Sequence, residues 1–91
     1  MKVKLSKSAN KFLQKLGNSD RAAVLSKINM LKICLEKQQV YPPEELDIKK
    51  LKGELKGFSR IRVGKLRIIF QIHKNENEIV IFDIDFRGNV Y

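Results

Sequence analysis

Residues 58–70 read FSRIRVGKLRIIF, two alternating runs joined by Gly64 and Lys65. A two-residue connection with glycine first suits a type II′ turn, whose twist matches that of the strands it joins. The stretch therefore reads as a β-hairpin, and its register follows residue by residue. Val63 faces Leu66, Arg62 faces Arg67, Ile61 faces Ile68 and Arg60 faces Ile69. Directly opposed residues share a face and neighbours along a strand alternate. One face is then Ile61, Val63, Leu66, Ile68 and Phe70, which is a core. The other carries Arg60, Arg62 and Arg67. Like charges placed opposite one another are destabilising. A fold that keeps three arginines together has a use for a dense positive field, and planar guanidinium groups bind phosphate bidentately.

Charge points the same way. Over 91 residues there are 19 Lys plus Arg against 10 Asp plus Glu, a net charge of +9. Such an excess favours a polyanionic partner, nucleic acid ahead of membrane. Residues 1–35 hold eight basic residues and one acid, and residues 36–91 hold eleven and nine. The first part is lysine-rich, whereas Arg60, Arg62, Arg67 and Arg87, four of the five arginines, lie in the second. The lysines read as general attraction and the arginines as a site. A hydrophobic content of 43% suits a packed globule rather than disorder. The length suits one small domain, 1–91, with a modest core.

Cys34 is the single cysteine, which excludes an internal disulfide and a cysteine metal cluster. Its helical surroundings predict a buried, inert thiol. MKVKLSKSANKF lacks the apolar region of a signal peptide, and no apolar run reaches membrane-spanning length. The expectation is a soluble, cytoplasmic protein with no membrane partner.

In chain order, Val3 to Leu5 predicts a short first strand. Ser6 or Ser8 caps a helix whose stripe is Ala9, Phe12, Leu13 and Leu16, with Gly17 ending the run. Asn18, Ser19 and Asp20 offer caps for a second helix. Its stripe is Val24, Leu25, Ile28, Leu31 and Leu35, with Met30 and Cys34 at the margins. Lys11, Lys15, Lys27 and Lys32 fall on the outer faces, where solvation is their ordinary role. Tyr41, Pro42 and Pro43 make a loop of residues 38–46, with one helical turn at PPEEL. Residues 47–55 (DIKKLKGEL) lead into the sheet, and Gly53 and Gly57 permit bends. Lys74 to Asn77 is a polar turn. Ile79 to Phe86 is the last long strand, with Val80, Phe82, Ile84 and Phe86 on its core face. Ile79, Ile81, Asp83, Asp85 and Arg87 alternate with them.

The fold class is α+β in the order β-α-α-β-β-β. Two N-terminal helices pack on one face of a small antiparallel sheet. No further helix remains for the other face, which is left partly open with Arg60, Arg62, Arg67, Asp83, Asp85 and Arg87 on it. Asp83 and Asp85 offer an alternative use for these arginines, an ion network. Four arginines against two aspartates favour a phosphate site.

Other constellations fall away. His73 is the one histidine, so Ser–His and paired-histidine schemes are excluded, and its place beside a turn makes it a surface residue. Gly53 and Gly57 lack the context of a phosphate-binding loop. Glu44, Glu45 and Asp47 do not by themselves make a metal site.

The run LKGELKGFSRIRVGKLRIIF, with the terminal strand and FRGNVY, resembles the RelE/ParE toxin superfamily. The shared pattern is a Leu-Lys-Gly lead-in, an R-x-R-V-G hairpin, the second strand Arg67-Ile68-Ile69-Phe70, and a late Arg87 with Tyr91 four residues on. The likeness is strongest over residues 48–91 and architectural over 1–47. It implies a microbial-ribonuclease-like fold and a type II toxin held inactive by a cognate antitoxin in a hetero-oligomer. Members of the RelE branch cut mRNA on the ribosome. Their chemistry needs no metal or other cofactor: the ribose 2′-OH attacks the adjacent phosphate, leaving a cyclic phosphate and a 5′-OH.

Carried over by position, Arg67 resembles the arginine that stabilises the transition-state phosphate. Arg87 resembles the residue that assists the leaving oxygen, and Tyr91 the tyrosine that stacks on substrate. Arg60 and Arg62 stand where relatives have phosphate-binding or basic lysines, and Arg62 joins the catalytic set. Lys49 and Lys52 of the lead-in join Arg60 as substrate-binding residues. Arginine stays protonated in proteins, so Arg60 and Arg62 are poor bases. The general base is left unassigned, with Asp85 the candidate. A second implied function is a ParE-like poison of DNA gyrase without nuclease chemistry, and a third is an inactive relative that only binds its antitoxin. The ParE branch as a rule lacks the late Arg and Tyr, so Arg87 and Tyr91 favour the nuclease.

Overall fold

The computed structural model describes residues 1–37 and 46–86. Strand β1 (Lys2–Leu5) is followed by helices α1 (Lys7–Lys15) and α2 (Asn18–Glu36). After the lead-in come β2 (Lys49–Lys50), a 3-10 turn at Gly53–Leu55, β3 (Ser59–Val63), β4 (Leu66–His73) and β5 (Glu78–Phe86). The strands form one sheet in the order β1-β5-β4-β3-β2. The α+β architecture is as expected, with two differences. The sheet is mixed rather than antiparallel, because β1 runs parallel to β5, with Val3 beside Ile79 and Leu5 beside Ile81. The lead-in also contributes a fifth strand, β2, on the far edge.

The hairpin has the register its alternation predicts: Val63 opposite Leu66, Arg62 opposite Arg67, Ile61 opposite Ile68 and Arg60 opposite Ile69. Gly64 has φ +57° while Lys65 does not have a positive φ, as a type II′ turn requires. Ile61, Val63, Leu66, Ile68 and Phe70 are all buried. They pack with Ala9 and Leu13 of α1 and with Val24, Ile28 and Leu31 of α2.

Local signals account for most of the helical layer. The Ser6 hydroxyl accepts the Ala9 N–H at 3.0 Å and so caps α1. Gly17 sits at the start of α2 with an ordinary φ of −63° and no side-chain cap. What closes α1 is Arg21, whose guanidinium donates to the carbonyls of Leu13, Gln14 and Leu16 at 3.1, 2.8 and 2.9 Å. These are carbonyls that a helix end leaves without partners. On α2, Leu25 is not in the core but exposed, because the sheet admits a narrower stripe centred on Val24, Ile28 and Leu31. Cys34 is half-buried rather than buried. Among the described residues no helix is long and apolar enough to cross a membrane. The loop and helical turn expected over 38–46 lie outside the described residues, except for Leu46, which is fully buried.

Strand β5 departs from simple alternation. Ile69 pairs with Asp83 but Phe70 pairs with Ile81, so Phe82 is an extra residue in a β-bulge. The bulge shifts the phase by one. Ile79, Ile81 and Ile84 are buried, while Phe82 is 47% exposed. The expected core face of Val80, Phe82, Ile84 and Phe86 is therefore wrong for Val80 and Phe82, and Ile79 and Ile81 take their place. An extra residue lets all three isoleucines face the helices while Asp83 and Asp85 stay off the core. The start of α1 locks the bulge: Ser6 donates its N–H to the Ile81 carbonyl at 3.0 Å and its hydroxyl to the Phe82 carbonyl at 2.6 Å. Phe86 pairs with Leu66 and sets its ring edge-on to Phe12, with centroids 5.4 Å apart. At the sheet's end it remains 44% exposed.

Candidate functional site

The sheet face away from the helices holds the arginines, and it is less open than the sequence suggests. Arg60 and Arg67 are each only 7% exposed and Ile69 between them is 2% exposed. The cover comes from the lead-in. Gly53 and Gly57 adopt φ of +70° and +97°, conformations that cost glycine little. They fold the segment from Lys49 to Leu55 along the face. The result is a cleft of about 760 Å³ lined by Lys49, Leu51, Lys52, Leu55, Arg60, Arg62, Lys65 and Arg67, with Phe86 at one end.

Cross-strand pairing sets the charge pattern of the floor. Arg67 of β4 lies between Arg62 of β3 and Asp85 of β5. Asp85 accepts Arg67 Nε–H at 3.1 Å and Nη2–H at 2.9 Å, a bidentate pair. This pair offsets the repulsion that Arg62 exerts on Arg67 and fixes the plane of the guanidinium. One row along, Arg60 lies opposite Lys49. Its Nη1–H donates to the Asp47 carbonyl at 2.8 Å, with the Asp47 carboxylate 3.6 Å away. The same carboxylate lies 3.9 Å from Arg62 Nε. Asp47 reaches both through a left-handed backbone, φ +51°, a conformation that Asp tolerates better than most residues.

The structure thus brings together Lys49, Lys52, Arg60, Arg62 and Arg67 around one cleft, with Asp85 inside the same cluster. Arg87 and Tyr91 lie outside the described residues. Asp83 is elsewhere. Its carboxylate accepts from Ile84 N–H at 3.0 Å and Ser8 hydroxyl at 3.3 Å, so it serves the bulge and the helix start. The expected ion network is real in part, since Asp85 does pair with Arg67. Asp47, Lys65, Leu51 and Leu55 were not singled out as site residues. Asp47 has no signal in its own neighbourhood, because its partners are more than ten residues away. His73 is half-buried at the opposite end of β4, its Nε2 3.0 Å from the Gln71 side chain. Among the described residues no group of three His, Cys, Asp or Glu is placed to hold a metal ion.

A cleft lined by six cations, two of them buried and one fixed in plane by a bidentate pair, can bind phosphate and stabilise charge developing on it. Among solved structures the chain is similar to the archaeal RelE–RelB complex from Pyrococcus horikoshii. There it is 27% identical over 98% of this chain and 97% of that one, with a TM-score of 0.74. It is also similar to the toxin–antitoxin complex RelBE2 from Mycobacterium tuberculosis, 26% identical over 94% and 96% of the two chains, TM-score 0.63. The YoeB/ParE toxin from Agrobacterium tumefaciens shares the fold at 17% identity, covering 96% and 99%, TM-score 0.70. No curated protein matches the chain. The model of the ParE toxins of type II toxin–antitoxin systems matches residues 3–91. Nearly the whole chain is covered by that match, and the fold and the hairpin agree with it: this chain belongs to the ParE toxin family of type II toxin–antitoxin systems, within the RelE/ParE superfamily.

Proposed function

We propose that this toxin is an endoribonuclease of the RelE kind that cuts mRNA held on the ribosome, by attack of a ribose 2′-OH on the adjacent phosphate. The observation that carries the reading is the fixed, nearly buried Arg67 on the floor of a cationic cleft. In the reaction the 2′-oxygen forms a bond to phosphorus while the bond to the 5′-oxygen breaks. A cyclic phosphate and a 5′-OH result. Charge concentrates on the phosphate oxygens midway, and preorganised guanidinium groups stabilise it most there. Arg67 and Arg62 take that role, while Arg60, Lys49 and Lys52 hold the flanking backbone. Arg87 and Tyr91 follow β5 directly in sequence. They enter as the groups that assist the leaving oxygen and stack on substrate.

Asp85 remains the candidate base. Each of its oxygens takes one bond from Arg67 and keeps a second lone pair, so it accepts the 2′-OH proton with the guanidinium still in place. Ribosomal alignment of the mRNA supplies the remaining positioning. The RelE relatives were solved as complexes with RelB, which supports an antitoxin as this chain's protein partner. The positive cleft suits an acidic antitoxin segment.

The test is primer extension on mRNA engaged by 70S ribosomes, with wild type and with the Arg67→Ala, Arg87→Ala double variant shown folded by circular dichroism. Cuts at the ribosomal A site by wild type alone are expected. The family's ParE description favours a second reading, a gyrase poison. Absence of cleavage together with inhibited DNA supercoiling would establish it instead.

A further inference from the structure

Beside the arginine cleft lies an aromatic pair that the reading above does not use. Phe58 and Phe82 meet with ring centroids 4.8 Å apart and planes tilted by 47°. Phe82 is 47% exposed, so Phe58 covers only part of its ring, and apolar surface left in water is costly. The β-bulge is what turns it outward. A second hollow of about 460 Å³ adjoins Phe58 and is lined by Lys50, Lys52, Lys56 and Ser59. Leu51 and Lys52 line this hollow and the arginine cleft alike. Phe58 stands two residues before Arg60 on the same face, about 7 Å along an extended chain.

We infer that Phe82 and Phe58 form a stacking platform for an unpaired base of single-stranded RNA, next to the phosphate held at Arg60 and Arg67. The inference rests on the ribonuclease reading and adds a base subsite to it. Single-stranded nucleic acid is bound by aromatic faces set in a positive groove that tracks the backbone. Both parts are present here: the half-exposed Phe82 ring against Phe58, and lysines around the hollow at Phe58 to take the flanking phosphate. The surface is continuous with the cleft, so one extended strand reaches both. An acidic peptide satisfies the lysines equally well but has no need of an exposed ring face, so RNA is the occupant argued here.

The chain contains no tryptophan, which allows a direct readout. The Phe82→Trp variant carries the sole indole, and a base stacked on it quenches its fluorescence. The probe is a 2′-O-methyl pentanucleotide, which binds but has no 2′-OH to attack phosphate. Quenching is expected, with affinity close to that of wild type by anisotropy. Phe82→Leu keeps apolar bulk but offers no ring face, and is expected to bind about tenfold more weakly. Three results overturn the platform. They are binding without quenching, leucine binding as tightly as phenylalanine, and no binding at all. Quenching by polyglutamate and not by RNA would also overturn it and assign the rings to a protein partner. The ribosomal primer-extension assay decides the nuclease reading separately, so a functional nuclease with an unquenched tryptophan loses only the platform.

Discussion

Arg67 has a structural duty beside the catalytic one proposed for it, and the two are separable. Its bidentate pair with Asp85 is largely withdrawn from water, with side-chain exposures of 8% and 19%. Removing one partner of such a pair leaves a charge with poor solvation. Arg67→Ala is therefore expected to destabilise the fold by about 3 kcal/mol in urea titration, and the additional Asp85→Leu change to recover part of that loss. Additive single costs would show that the pair contributes little to stability. Arg67→Lys keeps the charge and loses the planar fork. It is expected to retain the fold yet lose about 100-fold in cleavage rate, the scale seen when one fixed donor to a transition state is removed. A lysine variant with full rate would show that charge alone suffices.

At the scale of elements, the hairpin and the bulge have different origins. The hairpin is local: Gly64 turns the chain, and nothing lies within 4 Å of a Cβ added there. The cost of Gly64→Ala is thus backbone strain at φ +57°, about 1–2 kcal/mol, measurable as a lower urea midpoint with unchanged slope. The bulge depends on a residue far away in sequence. Ser6 caps α1 and also donates to the Phe82 carbonyl. Ser6→Ala is expected to cost about 1–2 kcal/mol, from the cap together with that second bond. Hydrogen exchange should quicken at both the first turn of α1 and at β5 around Phe82. Faster exchange in α1 alone would mean that the bulge holds without the serine.

Most of the net charge lies outside the cleft, since residues 1–35 hold eight basic residues and one acid while residues 36–91 hold eleven and nine. On the ribonuclease reading proposed above, a net charge of +9 would steer RNA toward the molecule as a whole, and the cleft would decide where the strand settles. If three or four phosphates are neutralised in the cleft, the logarithm of affinity for single-stranded RNA falls with the logarithm of salt at a slope of about −2 to −3. Losing Lys52 should make that slope shallower by roughly 0.7 without changing the fold. A slope near zero would place the RNA, if bound, away from the lysines and arginines.

Much of this was legible in the residues alone, and the reason is range. The hairpin register, its buried face and its arginine face follow from alternation and one glycine within thirteen residues. The helices follow from apolar spacing and from Ser6 as a cap. The family pattern runs through the same segment. What tertiary structure alone decided involves residues far apart in the chain. The run Ile79-Val80-Ile81-Phe82 is apolar throughout, so its pattern fits either face. The phase was settled by packing against the helices, and the bulge absorbed the mismatch with Asp83 and Asp85. The parallel pairing of β1 with β5 joins the first strand to the last. No local period encodes that pairing; it follows from how the helices carry the chain across the sheet. Asp47 holding Arg60, and the lead-in covering the arginine face, depend on backbone turns at Asp47, Gly53 and Gly57. Sequence supplied the cations and their common face. Folding of the lead-in over that face made them a cleft.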